Sequence, residues 1–202
     1  MRTAIILAGG RSSRMGGEKG LTMLDSKPLI THVIDRLRPV TDEIIIVVSS
    51  EIQKEKYFAF GVRVVVDKLK GETPIVGAYS GFTEAQGDYA FMTGSDQPLI
   101  NTATVKLLFS EAEGHEAATP TWPNGWVEPL HTVYRAKPAA ECAYRLIISG
   151  EKRLRIILRS LNDVKFVPID TLKELDPKLL TLIDVDTEED LQRLKPHLSG
   201  EP

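Results

Sequence analysis

"TAIILAGGRSSRMGGEKG" (residues 3–20) decides the fold. Six uncharged, mostly aliphatic residues run straight into a loop, and a short continuous apolar run of that kind is a strand buried on both faces. The loop, counted from Leu7 to Gly20, carries five glycines, three cations and one carboxylate. It opens at the carboxyl end of the strand, where open α/β sheets place their ligand crevice. Gly9 and Gly10 let backbone N–H groups approach a ligand, Ser12 and Ser13 add donors, and Arg14 with Lys19 neutralise charge. That inventory suits a triphosphate, and a plain connection rarely needs a dozen residues.

Spacing excludes two phosphate motifs. Walker A needs G-x-x-x-x-G-K-[ST], but Lys19 follows Glu18 and precedes Gly20. No frame of the loop supplies the G-x-G-x-x-G dinucleotide fingerprint.

Outward from the loop, strands alternate with helices. "EIIIVVS" (43–49), "VRVVVD" (62–67) and "DYAFMTG" (88–94) read as further buried strands. Pro28 at a predicted N1 position opens a helix whose Leu29, Ile30, Val33, Ile34 and Leu37 share one face, and helices follow at 75–85 and 102–114. This β-α-β alternation predicts an α/β fold, a three-layer α/β/α sandwich around a mainly parallel sheet. The second half predicts a hairpin-like excursion turning at Pro123-Asn124-Gly125, helices near 137–148 and 151–160, strands at 163–168 and 181–185, and a last helix capped by "DTEEDL". No repeat or Gly/Ser/Pro-rich linker divides the chain, so residues 1–202 are expected to form a single domain.

With 42% hydrophobic and 26% charged residues the composition is that of a soluble globular protein. A net charge of −3 argues against nucleic-acid or membrane partners held by bulk electrostatics and points to small ligands. The single cysteine, Cys142, excludes an intramolecular disulfide and a cysteine metal cluster. No signal segment or apolar run of membrane length occurs, which predicts a cytoplasmic protein.

The stretch "LAGGRSSRMGGEKGL" (7–21) resembles the L-A-G-G-x-S-x-R-M-G-x-[DE]-K signature of sugar-nucleotide and cofactor nucleotidyltransferases, and is most similar to the MobA branch, the molybdenum cofactor guanylyltransferases. Asp67, "GSDQPLI" (94–100), "EPLHTVYR" (128–135), "GEKRLRIIL" (150–158) and "IDVDTEEDL" (183–191) follow in the matching order. The resemblance implies a Rossmann-like sheet of the nucleotide-diphospho-sugar transferase type. It also implies magnesium-dependent transfer of GMP from GTP to the terminal phosphate of molybdopterin, with release of pyrophosphate. It assigns catalytic roles to Arg14, Lys19 and Asp96, and nucleotide contacts to Leu7, Ala8, Gly9, Gly10, Lys19, Asp67 and Asp96. Asp96 is the expected magnesium ligand, with Asp186 as a second. Asparagine in place of Asp184 or Asp186 in many relatives leaves a rival reading open, with Asp186 as helix N-cap and Glu189 completing a capping box.

For the acceptor, Lys152, Arg153 and Arg155 form a basic helix start that could hold a terminal phosphate, or a solvated basic face. Trp122 and Trp126, beside His131, are either pterin walls or packing residues. GTP and molybdenum cofactor are the expected partners, with transient contact to proteins that deliver or accept the cofactor. Cytidylyl transfer to the same acceptor, guanylyl transfer to cobinamide phosphate and a non-catalytic nucleotide-binding subunit remain as alternatives.

Overall fold

A computed structural model describes residues 1–9, 11–12, 17–71 and 73–198. In chain order the elements begin with β1 (Arg2–Leu7), the paired stubs β2 (Arg11–Ser12) and β3 (Gly17–Glu18), and the small hairpin β4 (Met23–Leu24) and β5 (Lys27–Pro28). Then come α1 (Leu29–Leu37), β6 (Glu43–Val48), α2 (Glu51–Tyr57), β7 (Arg63–Val66), α3 (Pro74–Glu84), β8 (Tyr89–Gly94) and α4 (Thr102–Glu111). The second half adds β9 (Ala117–Thr121), β10 (Thr132–Arg135), α5 (Ala136–Ile148), α6 (Ile156–Ser160), β11 (Val164–Pro168), α7 (Ile169–Leu175) and α8 (Glu188–Leu194).

The main sheet has seven strands in the order β11-β9-β10-β8-β1-β6-β7. Only β10 runs against its neighbours; the other pairings are parallel. β1 lies at the centre with Ala4, Ile5 and Ile6 fully buried, as expected of a strand covered on both faces. Alternation sends Ile6 to one face, against Ile30, Val33 and Leu37 of α1 and Val105 and Leu108 of α4. It sends Ile5 to the other, against Ile75, Ala78 and Phe82 of α3 and Ala139 and Cys142 of α5. The result is the expected three-layer sandwich.

From β1 the chain winds outward through β6 to β7, then returns to place β8 on the opposite flank of β1. The switch in winding direction leaves the loops after β1 and β8 side by side, and Ser95 N donates to Leu7 O at 3.1 Å across the gap.

Several boundaries differ from the sequence expectations. Pro28 is the N-cap of α1 rather than its first helical residue. No helix starts at 151: Glu151 Oε1 accepts from the backbone N–H groups of Lys152 and Arg153, each at 2.9 Å, and α6 begins only at Ile156. The predicted strand 181–185 is a single 3-10 turn, Leu180–Leu182, preceded by Leu179 at φ 50°. Leu99, Val185, Leu191 and Leu194 form a small separate core with Leu24 and Leu29 that anchors this C-terminal segment near the site. Cys142 is buried in the main core, as an inert thiol should be.

Candidate active site

Beside the switch point lies a cavity of about 260 Å³ bordered by Leu7, Gly9, Ser49, Asp67, Thr73 and Gly77 at one end and by Lys19, Gly94, Ser95 and Asp96 at the other. The walls come close around two glycines: a Cβ on Gly77 would be in van der Waals contact with Leu7 Cδ2 at 3.4 Å, and one on Gly94 would overlap the Asp96 carboxylate at 2.4 Å. Asp96 therefore folds its side chain back over the end of β8.

Lys19 Nζ donates to Asp96 Oδ2 at 3.0 Å and to Asp186 Oδ1. Burial opposes the ammonium charge, but the two carboxylates outweigh it and hold the Lys19 pKa above its ordinary value. Asp184 lies close behind. Its own pKa is pushed up to about 6, first by burial and then by the Asp96 charge. The C-terminal segment is tied directly to the same turn, because Val185 N donates to Asp96 O at 2.9 Å. Gln97 holds the turn from below, its Oε1 accepting from Gly94 N at 3.2 Å.

The cap question raised by the sequence is settled in favour of a neighbour. Thr187 is the N-cap of α8 and Asp190, not Glu189, closes the capping box. Asp186 is thereby released from capping, and its carboxylate points to Lys19.

Asp67 occupies the opposite end of the cavity. Among the described residues its Oδ1 is buried without a hydrogen-bond partner, and burial raises its pKa to about 6. Of the three expected backbone contacts, Leu7 and Gly9 border the cavity, whereas Ala8 is buried with its N–H committed to Val47 O at 2.8 Å. Gly10, Ser13 and Arg14 lie outside the described residues.

The acceptor-side expectations fare differently. His131 is no wall: it is fully buried, 5.0 Å edge-on to Phe91, with its Nε2 3.3 Å from Thr181 Oγ1, and burial pulls its pKa down to about 3. Trp122 packs on the core and donates to Glu128 at 2.6 Å. Trp126 is 53% exposed and lies under the Arg155 guanidinium at 5.3 Å. Arg153 is paired with Glu151, and neither it nor Lys152 belongs to a helix; only Arg155, the N-cap of α6, stands at that helix start. Sequence reasoning passed over Thr73, Gly77, Ser95 and Leu130, which also border the cavity, and left Ser49 out of the site. The signal for Thr73 and Gly77 was available: Pro74 opens a helix right after the third strand.

Among the described residues no three metal-ligating side chains converge as a closed cage. The donors present nonetheless fit a magnesium ion. Asp96 and Asp186 are hard oxygen donors already sharing one cation, the Lys19 ammonium, and magnesium commonly takes one or two carboxylates beside substrate phosphates.

A mainly parallel α/β sheet whose switch point holds a glycine-lined cavity, a half-buried carboxylate at one end and a lysine among acids at the other defines a nucleotide-binding protein of the transferase type. Residues 4–164 match the model of the MobA-like NTP transferase domain. The chain belongs to that family. A protein of Methanosarcina mazei named "Probable molybdenum cofactor guanylyltransferase" is 35% identical over 97% of this chain and 91% of its own length. One of Thermococcus gammatolerans with the same name is 37% identical over 94% and 96%. The crystal structure of molybdopterin-guanine dinucleotide biosynthesis protein A from Archaeoglobus fulgidus superposes with a TM-score of 0.84 at 27% identity, covering 98% of this chain and 99% of that one. Among the described residues no helix is long and apolar enough to cross a membrane.

Proposed function

We propose that the protein transfers GMP from GTP to the terminal phosphate of molybdopterin or its molybdenum-loaded form, releasing pyrophosphate. The observation that carries the reading is Asp67, which lines the cavity with one carboxylate oxygen, Oδ1, unpartnered among the described residues. A buried carboxylate needs donors, and the Watson–Crick edge of guanine offers two side by side, N1–H and the 2-amino group. Cytosine and adenine offer a single exocyclic amine there. Family membership and the names of the relatives supply the acceptor.

With the base against Asp67 and Gly9, the triphosphate extends toward Lys19 and Asp96. Lys19 supplies a positive charge to the phosphate chain, and Arg14 is proposed to do the same from the glycine loop. The carboxylates of Asp96 and Asp186 would hold magnesium, which when bound supplies charge neutralisation to the crowded phosphates. Asp184, exposed at the surface, adds a third carboxylate beside Asp96 and Asp186. The acceptor phosphate is itself largely ionised at neutral pH, so it attacks the α-phosphorus without a strong base or a protein nucleophile. Leu130, just before β10, borders the cavity, which supports an acceptor side there.

The test is pyrophosphate release from each of the four nucleoside triphosphates with molybdopterin and magnesium. Release with GTP is expected. Release with CTP alone would replace the base, and release with none of them, from folded protein, would remove the proposal.

A further inference from the structure

Tyr57, at the end of α2, packs its ring into the core, but neither that packing nor the transfer reaction accounts for its hydroxyl. Its side chain is fully enclosed and its hydroxyl has no hydrogen-bond partner among the described residues. Nearby, Glu18 gives Oε1 to Lys56 Nζ at 2.6 Å, while its Oε2 is also buried and unpartnered. Burial, then the charges of Glu18 and Asp96, push the Tyr57 pKa up, so the phenol is a donor at working pH.

These groups flank Lys19 on both sides. Glu18 precedes it, and Gly20 follows in a space so tight that a Cβ there would lie 2.8 Å from the Tyr57 hydroxyl and 2.9 Å from Ser95 Cβ. A buried donor beside a buried acceptor, each unsatisfied, needs only a small movement of the chain bearing Glu18 to form a charge-assisted bond. We propose that Tyr57 is a positioning residue for Lys19: its hydroxyl donates to Glu18 Oε2 when a nucleoside triphosphate is bound, aiming the ammonium at the phosphates. This rests on the nucleotidyl-transfer reading.

The experiment is calorimetric binding of GTP with magnesium, beside steady-state kinetics, for Tyr57→Phe. Losing one bond to a charged group should weaken GTP binding and raise its KM roughly tenfold or more. KM for the acceptor and the melting temperature should stay in place. Glu18→Leu should match that loss and the double variant should be no worse, whereas Glu18→Gln, which keeps an acceptor oxygen, should recover most of the affinity. Lys56→Met breaks only the exposed ion pair and should leave the KM for GTP alone. Unchanged GTP affinity in Tyr57→Phe, or additive losses in the double variant, would overturn the proposal. Failure of the unmodified protein to bind GTP would instead strike the transfer reading itself.

Discussion

Asp67→Asn should move nucleotide recognition and stability in opposite directions. The substitution keeps the shape of the side chain but removes the charge and turns one acceptor oxygen into a donor. Against guanine, a charge-assisted contact is lost and the new N–H₂ faces donors, so GTP affinity should fall by about 1.5–3 kcal/mol, roughly tenfold to a hundredfold. Xanthine carries a carbonyl where guanine has its 2-amino group, so the same amide should improve the use of xanthosine triphosphate. Stability follows from the displaced pKa. Folding raises the Asp67 carboxyl from 3.8 to about 6, which means that the folded state favours the protonated form. Below pH 4 both states hold the proton and the side chain is neutral to stability. Stability then falls as pH rises between 4 and 6, and above 6 the ionised carboxylate costs about 1–2 kcal/mol once its partial exposure is allowed for. Asp67→Asn should therefore melt above the unmodified protein at pH 8, with the gap closing toward pH 4. Thermal melts across that range, beside binding of GTP and xanthosine triphosphate, test both halves. A variant that is less stable at pH 8, or one that binds both nucleotides as before, would refute the assignment of Asp67 to the base.

Lys19→Met should abolish turnover and leave Asp96 and Asp186 without their shared cation, so magnesium alone should raise the melting temperature of the variant more than that of the unmodified protein; an indifferent melt would remove these carboxylates as the metal site. Asp96→Ala should end pyrophosphate release while circular dichroism stays native, because Val185 N is held by the Asp96 backbone oxygen and not by its side chain; loss of folding would make Asp96 a structural residue. Thr181→Val strips the acceptor from Asn101 N, 2.9 Å away, and the contact from His131, and should lower stability by about 1–3 kcal/mol in urea unfolding. An unchanged midpoint would show that this joint does not hold the C-terminal segment.

The central strands were legible because their chemistry is local. A run such as "EIIIVV" has no polar alternative, so every side chain must be covered, and only a sheet with helices on both faces covers them. The apolar face of α1 was legible for the same reason, since its five buried residues repeat at helical spacing. The C-terminal segment was not. "TLIDV" has strand-like residues, but it meets no sheet edge; it is held by Thr181 on Asn101, by Val185 on Asp96 and by a few leucines from distant parts of the chain. Contacts of that kind carry no periodic signal.

The same distinction separates the parts of the site that could be read from those that could not. Position at the carboxyl end of a strand marked Asp67 and Asp96, and each borders the cavity, although β7, before Asp67, is a half-buried edge strand. The charge pattern of "GEKRLR" suggested a phosphate-binding helix, yet Glu151, the one acid in the run, captures two backbone donors and the Arg153 fork, and so both delays the helix and pairs off one of its three cations. Conversely, a shift of one residue in the last capping box decided the fate of Asp186. With Thr187 as cap, satisfied by Asp190, the carboxylate of Asp186 has no helix terminus to serve and reaches Lys19 instead. Replacing Thr187 with alanine should therefore do more than cost the roughly 1 kcal/mol of a lost cap. If Asp186 swings back to cap the helix, Lys19 keeps Asp96 alone, and magnesium affinity should fall together with α8 stability. A variant that loses stability but keeps its magnesium response would show that the cap and the acidic corner are independent.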